Sequence, residues 1–214
     1  MKVITIDGPS AAGKGTIGSR LSEHLNCFYL DTGLLYRQIA AWALESNIEL
    51  MDEPSVLSAV VKKLSLLNWH QIEPDLLRAP DISEAASKVG TLQMVRKLAN
   101  EFQKKCAASV QGWIIVDGRD AGTVVFPEAE VKLFITAEVG VRAKRRYAQL
   151  KARGYEVDIG ALEEEIMQRD LRDQNRAVAP LKPAPDAYII DTSEETIDKS
   201  VRRVLKYLEK YIAA

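Results

Sequence analysis

Five short apolar runs, at residues 3–6, 28–30, 113–116, 131–135 and 188–190, stand between stretches of helical periodicity, the run at 28–30 being the weakest. Their apolar character is continuous rather than strictly alternating, which is what strands need when helices cover both faces of a parallel sheet. The pattern predicts the α/β class. Each run ends close to a polar residue: Asp7, Asp31, Asp117, Thr136 and Asp191. These mark the carboxyl rim of the predicted sheet, where open α/β folds gather ligands.

Helical periodicity is clearest near the end of the chain, where Ile197, Val201, Val204, Leu205, Leu208, Tyr211 and Ile212 share one face. With Lys199, Arg202, Arg203 and Lys206 beside that stripe, the stretch reads as a surface helix packed on the sheet; a membrane-bound amphipathic helix is the sharper alternative. Residues 17–25, 32–46 and 139–153 also read as helical, with Thr32 as a cap for the second of them. Between about residues 49 and 80, Pro54, Pro74 and Pro80 interrupt the apolar periodicity and few strand signals occur. That stretch reads as an insertion.

Composition narrows the possibilities further. The 214 residues suit one domain, or a core domain with a modest insertion, and 47% hydrophobic with 28% charged residues excludes a disordered chain. The 29 basic residues are matched by 30 acidic ones, so no global field recruits nucleic acid or an anionic membrane, and neither is expected as a partner. Cys27 and Cys106 are too few and too far apart for a disulfide scaffold or a zinc motif. No apolar run approaches the roughly 18 residues of a membrane span, and the opening residues offer no secretory signal. A cytoplasmic protein is expected. With no heptad seam or exposed apolar stripe in the sequence, a monomer is expected as well.

The strongest chemical signal is the stretch Gly8, Pro9, Ser10, Ala11, Ala12, Gly13, Lys14, Gly15 and Thr16, placed directly after a predicted strand and before a predicted helix. Glycines let the backbone curl so that amide hydrogens converge on phosphate oxygens; the helix adds its positive amino end, and Lys14 can neutralise a transferring phosphate. This is a Walker A type loop that predicts ATP binding. One departure stands out: Gly15 occupies the place of the usual Ser or Thr, and Thr16 follows it. Direct ligation of Mg²⁺ by a side chain is therefore not assigned, while Thr16 and Asp117 are placed to act on the ion through water. The GKGT ending resembles the loop of nucleoside monophosphate kinases rather than that of switch GTPases.

A phosphate acceptor brought up to ATP needs guanidinium groups to offset charge repulsion. Arg37 follows Asp31, Thr32 and Gly33 beyond the second run, and Arg119 with Asp120 follows Asp117 beyond the third. Further on, Arg169, Asp170, Arg172, Asp173 and Arg176 interleave their charges over eight residues and read as a lid. The basic residues Arg142, Lys144, Arg145, Arg146, Lys151 and Arg153 follow helical spacing and read as a solvated helix face, with room for one lid arginine. His24, His70, Cys27, Cys106, Trp42, Trp69 and Trp113 sit in no motif and are assigned to surface or packing.

Five segments in order make the resemblance specific: ITIDGPSAAGKGT at 4–16, LDTGLLYR at 30–37, EAASKV at 84–89, VDGRDAGTVVFPEA at 116–129 and RDLRDQNRAVAPLKPAPDA at 169–187. Together they resemble the bacterial cytidylate kinases. The resemblance implies a P-loop three-layer fold with five parallel strands, a core at about 1–47 and 111–214, an acceptor-binding insertion at about 48–110, and a lid at about 154–178. It implies transfer of the γ-phosphate of ATP, with Mg²⁺, to CMP or dCMP. In catalytic roles it implies Lys14, Arg119 and Arg176, with residues 8–16 on ATP. Arg37 and Arg119 would hold the acceptor phosphate, Ser87, Arg96 and Asp120 would address cytosine, Arg169 and Asp173 the sugar, and Arg176 the phosphates. Asp31 and Thr32 would complete the CMP site. The segment at 66–80 is short for the small antiparallel sheet that the family carries there, which leaves the outer wall of the base pocket unassigned. A P-loop kinase acting on UMP or a metabolite hydroxyl, and a nucleotide-controlled binding module, stay open as alternatives.

Overall fold

The structure is a computed structural model and describes residues 1–212. Its strands are β1 (Lys2–Asp7), β2 (Phe28–Asp31), β3 (Trp113–Gly118), β4 (Val131–Thr136) and β5 (Tyr188–Asp191). All five coincide with the apolar runs. The sheet order is β2-β3-β1-β4-β5, and β1 pairs in parallel with both β3 and β4. Ile4 and Ile6 of this central strand are fully buried, the reason for its continuous apolar run. Its last residue, Asp7, lies opposite Gly118 of β3 and Phe134 of β4, at the carboxyl rim.

The helices are α1 (Lys14–Leu25), α2 (Thr32–Glu45), α3 (Glu53–Leu66), α4 (Pro80–Val89), α5 (Gln93–Ala108), α6 (Val139–Lys151), α7 (Ile159–Asn175) and α8 (Ile197–Ile212). The chain divides into two compact units: residues 1–29 together with the chain from 112 onward, and residues 30–111.

In the first unit, Ile17 and Leu21 of α1 and Val204 and Leu208 of α8 bury against Ile4, Ile6, Leu133 and Ile135 of the sheet. The stripe on α8 is therefore a core stripe, as its spacing predicts, and no helix among the described residues is long and apolar enough to cross a membrane.

The second unit is helical. Leu35 and Ile39 of α2, Val56, Val60 and Leu64 of α3, Val89 of α4 and Val95 and Ala99 of α5 form its core, with Trp42 and Trp69 packed against it. Two of the prolines that break the sequence pattern open helices rather than interrupt them. Pro54 stands in the first turn of α3 behind the Asp52 cap and Pro80 begins α4, positions where the missing N–H costs no helical bond. Residues 66–80 hold two single 3₁₀ turns, Trp69–Gln71 and Leu76–Arg78, and no strand. Thr32 is not the cap of α2: Asp31 takes the N-cap position with extended backbone, and Thr32 is the first helical residue, its side chain buried.

Candidate active site

The phosphate loop runs from β1 into α1, and its glycines are required by geometry. A Cβ on Gly8 would lie 1.9 Å from the Ile135 carbonyl oxygen, and Gly13, at φ +97°, holds a left-handed conformation at the N-cap of α1. Ala11 also sits at positive φ, 58°. Gly13 offers no side chain to the first-turn N–H groups of α1, which leaves them for an anion. Lys14 is buried, and its Nζ donates to the Pro9 carbonyl at 2.8 Å, which folds the ammonium back along the loop. Gly15 and Thr16 are exposed.

The absence of a side chain at Gly15 has a structural counterpart. A Cβ there would lie 3.6 Å from the Tyr29 hydroxyl and 3.7 Å from Asp117 Oδ2, and that hydroxyl donates to the same carboxylate oxygen at 2.9 Å. Tyr29, a residue that the sequence reading leaves unassigned, thus orients Asp117 at the end of β3.

Three further side chains grip the loop through its carbonyls. Arg142 Nη1 donates to Ser10 O (3.3 Å), Arg145 Nη1 to Ala12 O (3.4 Å), and Thr192 Oγ1 also to Ala12 O (3.1 Å). This corrects the reading of a solvated face for Arg142 and Arg145, whereas Lys144, Lys151 and Arg153 of the same basic run are exposed as expected. Arg142 is buried, pairs with Asp170 at 2.6 Å and donates its Nε to Ala137 O at 2.8 Å, and Arg145 also binds the Thr192 carbonyl. Helical spacing shows which residues share a face. It does not show that the neighbour on that face is a loop rich in carbonyls.

Beyond β3 the chain brings Arg119 and Asp120 to the same rim, where α7 meets them. Arg169, Asp170 and Asp173 recur at helical spacing toward the end of α7, and Arg176 follows as its C-cap with extended backbone. Arg119 Nε donates to Asp173 Oδ2 at 3.1 Å; Arg176 reaches Asp120 at 3.4 Å and Asp173 at 3.9 Å, and its Nε is fixed on the Ala179 carbonyl. Burial alone would raise the Asp173 carboxyl, but Arg119, Arg169 and Arg176 outweigh it and hold the group below the ordinary aspartate range. Burial likewise works against the charge of Arg119, and Asp173 and Asp117 more than offset it. Arg169 differs: burial and then the neighbouring Arg119 charge leave its guanidinium less favoured, and its buried Nε has no acceptor among the described residues. A half-buried cation whose Nε is buried and orphaned calls for an external acceptor oxygen.

The remaining candidates belong to the unit formed by 30–111. Asp31 and Arg37 are half-buried there, at the start and in the second turn of α2. Ser87 of α4 and Arg96 of α5 are buried; Arg96 donates to the Gly90 carbonyl at 3.0 Å, its guanidinium 5.5 Å from the Tyr36 ring centre. The sequence reading missed two neighbours. Ser83 lies one turn before Ser87 and Asn100 one turn after Arg96, each with a buried side-chain oxygen unmatched among the described residues. Polar residues at four-residue spacing on buried helix faces were the available signal.

Cys27 and Cys106 are half-buried, and burial pushes the Cys27 thiol up to about 11 and raises that of Cys106. His24 and His70 are exposed.

A parallel sheet in this order, with a phosphate loop leaving its central strand and arginines along its carboxyl rim, defines a P-loop kinase fold. Shikimate kinase from Bacteroides thetaiotaomicron has the same fold, at 16% identity and a TM-score of 0.50 over 97% of this chain and 98% of that one. The family is narrower than the fold. The cytidylate kinase family profile matches residues 4–210. Cytidylate kinase from Bradyrhizobium diazoefficiens is 42% identical over 97% of this chain and 95% of its own length, and that from Pasteurella multocida 43% over 98% and 96%. The chain belongs to the cytidylate kinase family.

Membership of a kinase family implies ATP as phosphate donor, used with a divalent metal ion. Among the described residues no group of three His, Cys, Asp or Glu side chains is arranged to hold a metal. The rim offers Asp117, buried and oriented by Tyr29, beside the exposed start of α1. One carboxylate suits a hard cation that takes its other ligands from phosphates and water.

Proposed function

We propose that this protein transfers the γ-phosphoryl group of ATP to CMP or dCMP, giving ADP and CDP or dCDP. The reading rests on family membership, and the observation that carries its geometry is the arginine cluster beside the phosphate loop. Asp173 holds Arg119 in place and favours its charged form, whereas Arg169 keeps a buried Nε donor that no acceptor among the described residues meets.

Residues 8–16 hold ATP, the loop amides and Lys14 meeting its phosphates. Arg119, Arg37 and Arg176 neutralise the acceptor phosphate. Arg169 and Asp173 address the sugar, Ser87, Arg96 and Asp120 the base, and Asp31 and Thr32 complete the CMP site. An oxygen of the acceptor phosphate attacks the γ-phosphorus, and the bond to the β–γ bridging oxygen breaks, so that the electron pair leaves with ADP. The attacking oxygen is already anionic at neutral pH, so no side chain has to remove a proton. Asp117 and Thr16 would hold the divalent ion, proposed as Mg²⁺, through water, and the ion would supply charge neutralisation on the donor phosphates.

Cytosine offers an exocyclic amine that an aspartate can accept from, whereas uracil would set a carbonyl against Asp120. We place the enzyme in the cytoplasm as a monomer acting on free nucleotides, with no nucleic-acid partner. Its lid is assigned to residues 154–178 and its acceptor-binding insertion to 48–110. A coupled assay of ADP formation with CMP, dCMP, UMP, AMP or no acceptor tests the reading. Fast turnover is expected with CMP and dCMP alone; acceptor-independent hydrolysis, or a preference for UMP or AMP, would remove it.

A further inference from the structure

Asp7 is buried at the end of β1, and neither the phosphate loop nor the acceptor assignments use its side chain. Its two oxygens are both engaged: Oδ1 accepts from the Ala121 N–H at 2.8 Å and Oδ2 from the Gly122 N–H at 2.7 Å. Those amides open the turn at Ala121–Val125, a π-type turn in which Val125 N–H donates to Asp120 O and Phe126 N–H to Ala121 O. Asp120 is the N-cap residue of that turn. An aspartate there ordinarily caps with its own carboxylate, yet the side chain of Asp120 makes no capping bond. The carboxylate that caps the turn comes from the neighbouring strand.

With the cap supplied by Asp7, the Asp120 side chain is turned away from its own turn. Its carboxylate reaches Arg176 at 3.4 Å instead of turning back on its own backbone. We propose that Asp7 is a positioning residue: by capping the turn in place of Asp120, it sets the direction of the Asp120 carboxylate and the seat of Arg119 for the acceptor nucleotide. The assignment rests on the kinase reading above, and it adds a residue that touches neither substrate.

Two observations support a specific device. The contact is tight: a Cβ on Gly122 would lie 2.6 Å from Thr5 Oγ1 and 3.3 Å from Asp7 Oδ2, so the turn is seated on β1 with no side chain between. It is also costly. Burial pushes the Asp7 carboxyl up to about 6 against the lowering effect of the two N–H groups, and Asp120 and Asp117 add to the rise. Only a carboxylate can accept from both amides at once. Asparagine has one acceptor oxygen and would set its amide hydrogens against the second N–H.

The test compares the parent with Asp7→Asn. The variant is expected to raise KM for CMP about ten- to hundredfold and to lose CMP-over-UMP selectivity to a similar degree, while ATP affinity by calorimetry changes less than about threefold. A merely structural role would lower the melting temperature without this split. Should Asp7→Asn not fold, Gly122→Ala pushes a methyl group into the same contact without altering any charge, and the same split is expected. Parent-like KM and selectivity in a folded variant would overturn the proposal, as would equal losses toward ATP and CMP. A parent enzyme that does not phosphorylate CMP removes the kinase reading and this proposal with it, and that failure is seen in the parent alone.

Discussion

Lys14 lies buried with its ammonium on the Pro9 carbonyl, so the phosphate contact proposed for it starts from a fixed position rather than from a mobile tether. Lys14→Ala should lower kcat/KM by about 10²- to 10³-fold with an unchanged melting temperature; steady-state kinetics beside thermal unfolding checks both. Asp120→Ala should weaken CMP-over-UMP selectivity while leaving the affinity for ATP intact, and parallel KM measurements for the three nucleotides would show whether it does. Gly18 tests the Tyr29 contact. A Cβ there would lie 2.6 Å from the Tyr29 ring, so Gly18→Ala should cost about 1–3 kcal/mol in denaturant unfolding and disturb the phenol that orients Asp117. At this scale the loop was legible in the sequence, because its chemistry is local and its letters are contiguous. Asp7, Tyr29, Arg142 and Arg145 were not assigned roles, because each acts on a segment about 90 to 130 residues away along the chain.

α7 shows what an element adds. The interleaved charges at 169–176 read as a lid in the sequence, and in the structure Asp170 and Asp173 of the helix and Arg176 at its C-cap tie the segment to α6 and to the end of β3. Asp170 pairs with the buried Arg142, so Asp170→Ala leaves an uncompensated cation and should cost about 3–5 kcal/mol in chemical denaturation. Asp173 carries a pH signature. Its folded carboxyl titrates below its unfolded one, so the stability it contributes is complete above the ordinary aspartate range and is lost as pH falls through the folded value. Asp173→Asn should flatten that acid limb. Strand positions were legible because burial on both faces leaves an unmistakable apolar run. The helices at 53–66 and 80–89 were obscured because a proline in the first turn looks, from the sequence alone, like an interruption.

Across the whole molecule, charge burial at the rim sets opposing trends with pH. The Asp7 carboxyl is pushed up to about 6 in the folded protein, above its unfolded value. Its contribution to stability is therefore full below the unfolded pKa and is lost as pH rises toward and through about 6, a change of roughly 3 kcal/mol at about 1.4 kcal/mol per pKa unit. The family match covers residues 4–210, so the kinase reading concerns nearly the whole chain and its central claim is chemical. Incubation with CMP and ATP radiolabelled at the γ-phosphate tests it most directly. The label should appear in CDP, in step with ADP and only when CMP is present. Label released as inorganic phosphate at a rate indifferent to CMP would contradict the account.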